Sequence, residues 1–392
     1  MILCGCDRLL RHPDRLRGRR WALLSHHAAV TEDLQPLHLA LTAQVEMPTA
    51  LFAPEHGYWA VEQDMVPAAD ARDAWTGVPI RSLYGDGEGS LRPAPEAFDG
   101  LDVLIVDLQD VGSRYYTYAA TAVWAADVAL ARGVEVWVLD RPNPLGGERL
   151  EGPGVEVAHR SFVGAFDVPV RHGLTLGELM RLEAKRRGWD GDGLEVWTVA
   201  GWRRATTWES TARRWIAPSP NMPSAQTAEI YPGLCLIEAT TLSEGRGTTR
   251  PFHLVGAPGL DPRALADRLE ARRLPGIRFL PTYFRPQFQK HAGEVCAGVE
   301  LVVVDSAALR PLRLGVELLR AIHELAPDVF GWRREPYEFV ADRPAIDLLT
   351  GSAQFRRALE GGDEASMDAW LRSWRDAEDA FRVERRAILL YD

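Results

Sequence analysis

Cysteine is scarce in this chain: Cys4, Cys6, Cys235 and Cys296 are the four among 392 residues. Cys4 and Cys6 form a C-x-C with no second pair at zinc-finger spacing, which argues against a structural zinc site and leaves reduced thiols. Long apolar runs are missing too. No stretch approaches the roughly 18 uninterrupted apolar residues of a membrane-spanning helix. The N-terminus turns polar at Asp7 and Arg8, without the apolar core of a signal peptide, so the chain as it stands reads as cytoplasmic. Net positive charge is absent. A formal charge of -10 argues against nucleic acid or an anionic membrane as partner. Lysine is nearly absent, with Lys185 and Lys290 alone, but coding bias explains that as readily as function does, and it excludes nothing. Several catalytic signatures are also missing: there is no G-x-S-x-G elbow, no H-E-x-x-H, and no glycine-rich loop ending in Gly-Lys-Ser/Thr.

What is present is the pattern of an α/β protein long enough for two domains. Arg20–Ser25, Thr49–Phe52, Leu101–Asp107 and Gly133–Leu139 read as buried strands, with helices over about Leu34–Ala43 and Tyr115–Arg132. Continuous Val/Ile/Leu runs separated by helices indicate a parallel sheet covered on both faces, hence a Rossmann-like topology. Thr175 and Glu178 form a capping box that opens a helix closed by Gly188, and Leu194–Val199 is a further strand. Asp261 before Pro262 starts a helix running to about Arg273. Gly298–Val304 reads as a strand and Arg310–Leu325 as a helix. A boundary is expected at Gly256-Ala257-Pro258, dividing residues 1–255 from residues 256–392.

Ligands of an open parallel sheet bind outside the carboxyl ends of its strands. Here Glu55 and His56 follow the second strand, Gln109, Asp110 and Arg114 the third, and Asp140, Arg141 and Asn143 the fourth. Carboxylates gathered on one rim without a metal motif suit general acid/base chemistry, glycoside hydrolysis included, although the same residue types also cap helices and pin turns. Pro54-Glu55-His56-Gly57 is the sharpest signal. Burial of an acid there would raise its pKa, as protonating a glycosidic oxygen near neutral pH requires; pairing with His56 would lower it, and the residues leave both open. The loop Ser243–Arg250 supplies Glu244, Arg246 and Arg250. Either arginine could clamp a sugar carboxylate bidentately, and the alternative is an ion pair with Glu244 that stiffens the loop. Asn221, in the proline-rich turn Pro218–Pro223, offers an amide, although turn chemistry alone accounts for it. Trp59 and Trp75 are available either to stack on a sugar or to pack.

Taken in order, these segments resemble the exo-β-N-acetylmuramidase family of the NamZ type, glycoside hydrolase family 171. The matching motifs are Leu51–Gly57, Thr76–Ile80 with Ser82–Gly85, Asp107–Tyr118, Leu139–Pro144, Glu151–Pro153, Arg171–Gly173, Pro218–Pro223 and Ser243–Pro251, and the match continues through Phe288–Gly298 to Leu389–Tyr391. The resemblance implies a Rossmann-like larger domain, a smaller α+β C-terminal domain and a cleft between them. It implies release of N-acetylmuramic acid from the non-reducing ends of peptidoglycan fragments, without metal or cofactor, from a small saccharide substrate such as a muropeptide or a MurNAc-GlcNAc fragment. Glu55 matches the family's favoured acid. Asp110 and Asp140 fall in matching motifs as the second carboxylate, with Glu151 as an outside candidate. Substrate contacts are expected from His56, Gln109, Arg114, Tyr116, Arg141, Asn143, Glu151, Asn221, Glu244, Arg246 and Arg250. Two segments depart from the pattern. Many members carry an arginine-containing Gly-Val-Arg-Gly after Pro-Glu-His-Gly, where this chain has Tyr58–Met65; and the first strand, which usually ends in Thr-Asn, here ends Ser25-His26-His27. Both bear on substrate identity, so a related amino sugar and a non-catalytic sugar-binding role stand as alternatives.

Overall fold

The computed structural model describes residues 2–189 and 193–392. Its main sheet contains β1 (Trp21–Ser25), β2 (Leu51–Ala53), β3 (Ala71–Arg72), β4 (Pro79–Ser82), β5 (Val103–Asp107), β6 (Glu135–Leu139) and β7 (Leu194–Trp197). The spatial order is β3-β4-β2-β1-β5-β6-β7, and every neighbouring pair is parallel except the antiparallel β3–β4. The chain therefore works outward from β1 to β4, then crosses back to start again at β5. That reversal puts the topological switch point between β1 and β5.

Period-two alternation sorts the strand residues onto two faces. Ala22, Leu24, Phe52, Leu104, Val106, Val136 and Val138 pack with α3 (Tyr118–Ala131) and α4 (Leu176–Arg187) on one side. Trp21, Leu23, Leu51, Ala53, Val103, Ile105, Trp137 and Leu139 pack on the other with Cys4, Cys6 and Leu9 around α1 (Gly5–Leu10), and with Leu37 and Leu41 of α2 (Leu37–Thr42). α4 begins and ends as its sequence dictates: Thr175 and Glu178 form the capping box, and Gly188 takes the left-handed conformation. α3 starts at Tyr118, three residues later than expected, because the segment before it is a buried rim loop.

A second, antiparallel sheet is formed by β8 (Leu254–Ala257), β9 (Ile277–Phe284) and β10 (Cys296–Val303), in the order β8-β10-β9. Around it lie α5 (Ala225–Leu234), α6 (Pro262–Ala271), α7 (Pro311–Leu325), α8 (Ala345–Thr350), α9 (Gln354–Gly361) and α10 (Glu364–Arg385). α5 crosses α7 so closely that a Cβ on Gly233 would stand 1.7 Å from the Pro311 carbonyl oxygen, so only glycine fits there. The end of the chain returns to the first sheet. Leu390 N–H donates to Glu178 at 2.9 Å, and the Tyr391 hydroxyl donates to Asp140. No helix of the described residues is long and apolar enough to cross a membrane.

Candidate active site

Glu55 leaves β2 two residues past its end and is 5% exposed. Its carboxylate accepts a 2.7 Å hydrogen bond from Thr117 Oγ1 and a 3.4 Å one from the Met65 N–H. Thr117 immediately precedes α3, so the β5–α3 connection carries it across the switch point to meet the β2 rim. Here the β2 rim, the β5–α3 connection and the second half of the chain enclose a cavity of about 40 Å³. Glu55, His56, Asp64, Tyr116, Asn221, Glu238, Arg246, Phe252, Tyr337 and Glu338 are among its walls.

Glu338 enters from the second half of the chain, on a tight reversal in which Tyr337 and Val340 pair. Glu338 and Phe339 both hold positive φ, 46° and 67°, a region costly for side-chain-bearing residues and frequent at functional sites. Tyr84, just past β4, donates to Glu338 Oε2 at 2.9 Å. Burial pushes the Glu338 pKa well above the usual carboxylate range, and the charge of Glu55 adds to the rise.

Arg246 is the central cation. Its Nη1 lies 3.1 Å from Asp64, its Nη2 2.7 Å from Glu238 and its Nε 3.1 Å from Glu244, while its guanidinium sits 5.1 Å from the Phe252 ring centroid. Glu238 also accepts from the Tyr337 hydroxyl at 2.7 Å, and Lys290 donates to Glu244 at 2.8 Å. Phe252 is itself at φ 64°, an orientation that brings its ring under the arginine.

The segment after Glu55 folds back over the cavity. His56 Nδ1 meets the Glu62 carbonyl at 2.9 Å, and Glu62 N–H returns to the His56 carbonyl at 3.3 Å. Beyond that clip, Asn221 Nδ2 donates to Gln63 at 2.7 Å, and Gln289 donates to Asp64 at 2.7 Å. Asp64 lines the cavity, and the next residue, Met65, lines an open groove of about 690 Å³ together with Lys290, His291, Trp332, Arg333 and Arg334.

Of the residues expected from the sequence, Glu55, His56, Tyr116, Asn221 and Arg246 line the cavity, and Glu244 lies behind Arg246. The other strand-end residues are turned into the rim itself. Asp110 Oδ2 accepts from Gly112 N–H at 2.6 Å, and burial pushes its pKa up to about 7. Asp140 accepts from Thr175 Oγ1 at 2.7 Å, from Gly177 N–H at 2.8 Å and from Tyr391; burial raises it to about 6. Neither is among the lining residues. Arg141 forms a buried pair with Asp107 at 2.6 Å, and Arg114 donates to the carbonyls of Pro153, Val168 and Leu349. Gln109 donates to the carbonyls of Asp110 and Pro142, and Asn143 to that of Leu174. Glu151 accepts the Arg313 N–H at 2.9 Å in the first turn of α7, and Arg250 pairs with Glu300 at 2.9 Å with its side chain 45% exposed. Trp59 and Trp75 pack edge-to-face on each other at 4.9 Å, away from the cavity. Thr117 was within reach of the sequence, since it lies in the Asp107–Tyr118 motif. Asp64 lies in the Tyr58–Met65 segment that departs from the family pattern, whereas Glu238 and Glu338 carry no local signal in the sequence.

Comparison with known proteins places this geometry in a family. The N-terminal model of exo-β-N-acetylmuramidase NamZ matches residues 21–226 and the C-terminal model matches residues 229–391. The chain is 37% identical over 394 residues to the peptidoglycan β-N-acetylmuramidase NamZ of Bacillus subtilis strain 168, covering all of this chain and 91% of that protein. Two crystal structures of DUF1343 family proteins from Bacteroides fragilis align over the whole chain and 99% of theirs. One has a TM-score of 0.87 at 30% identity, the other 0.75 at 27%. With both domain models matched in sequence and a full-length relative at this identity, the chain belongs to the NamZ family of exo-β-N-acetylmuramidases.

Proposed function

We propose that this protein hydrolyses terminal β-linked N-acetylmuramic acid from peptidoglycan fragments, with Glu55 and Glu338 as the carboxyl pair at the scissile bond. The observation that carries the reading is the pair itself, two carboxyls 5% and 6% exposed in one cavity, one of which has its pKa lifted by burial and by the charge of the other. Protonating a glycosidic oxygen needs a carboxyl that keeps its proton near neutral pH. Burial and the charge of Glu55 both favour the protonated form of Glu338. Glu55, which Thr117 holds in place, delivers a proton to the leaving oxygen as the bond to the anomeric carbon breaks. The negative charge left on the pair faces the positive charge developing on the sugar. Water then adds to the anomeric carbon and returns a proton to the pair.

Recognition of the sugar follows from the other walls. Arg246 suits the lactyl carboxylate and Asn221 the acetamido group. The remainder of the fragment, whether a second sugar or a peptide stem, lies along the groove beside Met65, where Arg333 and Arg334 face acidic groups and Trp332 an apolar one. A cytoplasmic setting belongs to the same proposal and is supported by four buried, unpaired cysteines. The test is hydrolysis of a chromogenic β-N-acetylmuramide beside the corresponding glucosaminide; muramide-selective turnover supports the assignment, and equal turnover of both contradicts it.

A further inference from the structure

Three consecutive residues each occupy a hydrogen-bonding position on a different cavity residue: Gln63 accepts from Asn221, Asp64 contacts Arg246, and the Met65 N–H donates to Glu55. Their chemical types are an amide, a carboxylate and a donor to the acid. We infer that residues 63–65 are an internal stand-in for the substrate, with Asp64 holding on Arg246 the place of a ligand carboxylate, and that the ligand, a pyranose carrying both a carboxylate and an amide, enters by displacing them. This rests on the reading of the cavity as the sugar site.

Charge and space both require the displacement. Arg246 already faces the carboxylates of Asp64, Glu238 and Glu244, and Lys290 is the other cation bonded within this cluster. A ligand carboxylate added to these would meet uncompensated repulsion in a buried site. Exchanged for Asp64, it leaves the charge unchanged. Glu238 and Glu244 are held by the buried Tyr337 and by Lys290, whereas Asp64 sits on a loop and its other partner, Gln289, is an exposed side chain that can move with it. The cavity of about 40 Å³ is far below the roughly 300 Å³ at which ligand pockets begin, while the 690 Å³ groove lies beyond Met65. Withdrawal of residues 63–65 joins the two. The segment also stores backbone strain, with His56, Ala60 and Met65 at φ 71°, 48° and 57°, so its closed form is held by the contacts that the ligand would replace.

The test is calorimetric binding of N-acetylmuramic acid and N-acetylglucosamine to wild type and Asp64→Asn. Removing an intramolecular competitor raises the binding-competent fraction, so Asp64→Asn is expected to bind N-acetylmuramic acid about tenfold tighter while N-acetylglucosamine changes by less than about twofold. Equal or weaker binding of the acidic sugar by the folded variant overturns the inference, as does absence of binding by both forms. Hydrogen exchange on wild type gives a second reading: N-acetylmuramic acid is expected to speed exchange at the Met65 amide, and slowing overturns the inference. Muramide turnover separates the two proposals. Turnover without the affinity gain removes the stand-in and keeps the hydrolase; the gain without turnover does the reverse.

Discussion

The Tyr84 hydroxyl donates to the Glu338 carboxylate at 2.9 Å across 254 residues of sequence, joining the edge of the parallel sheet to the second half of the chain at the wall of the cavity. That bond favours the ionised form of Glu338 and so holds down a pKa that burial and Glu55 raise. Tyr84→Phe therefore raises it further. If Glu338 must retain its proton for turnover, the alkaline limb of the pH–kcat profile moves to higher pH in this variant. A limb that stays in place or moves down would separate Glu338 from the proton donor.

Arg246→Lys keeps the charge among its three carboxylates but loses the planar fork. KM for a β-N-acetylmuramide is expected to rise by about tenfold to a hundredfold, the scale of one lost charge-assisted contact, with kcat less affected. Steady-state kinetics on the muramide and the glucosaminide check this. A parallel rise on both sugars would show that Arg246 shapes the site without reading the carboxylate.

Asp140 ties the β6 rim to α4 and to the C-terminal Tyr391. Asp140→Ala leaves those donors without an acceptor and is expected to cost about 3 kcal/mol, read as a lower denaturation midpoint. The kcat of the protein that remains folded is expected to stay within about threefold of wild type, against the about hundredfold or greater loss from removing an acid/base group. Loss of kcat without loss of stability would restore Asp140 to the chemistry.

Burial raises the Glu151 pKa to about 7 from an ordinary value of 4.5. The folded state thus holds a proton that the unfolded chain releases. This contribution to stability is fully present below pH 4.5 and is lost as pH rises through about 7. Glu151→Gln keeps an oxygen for the Arg313 N–H but has no proton to lose. Its stability relative to wild type should climb across that window, by at most about 3 kcal/mol, in thermal melts from pH 4.5 to pH 8. A flat difference would mean that Glu151 is not desolvated.

The sheet was readable because β1, β5 and β6 are continuous apolar runs buried on both faces, and because α4 and α6 carry their caps in sequence as Thr175 with Glu178 and as Asp261 with Pro262. β9 was not readable. It is an edge strand paired with β10 alone, it contains Pro281, and half its side chains face outward, so no apolar run marks it. In the site, Glu55 stood out as an acid at the end of a buried strand. Asp110 and Asp140 have the same sequence context, and only tertiary contacts distinguish an acid facing a cavity from one binding rim amides. Glu338 could not be read at all: it lies on a short reversal without periodicity, and its environment is made by Tyr84 and Glu55, far away in the chain.

In the proposed mechanism Glu55 handles the proton at a muramic acid linkage. The most direct test of that role is single-turnover hydrolysis of a chromogenic β-N-acetylmuramide by wild type and Glu55→Gln, with folding verified by thermal melting. The glutamine can still accept from Thr117, so the fold should survive while turnover falls by about a hundredfold to ten-thousandfold. A folded Glu55→Gln protein that cleaves the muramide at the wild-type rate would contradict the account.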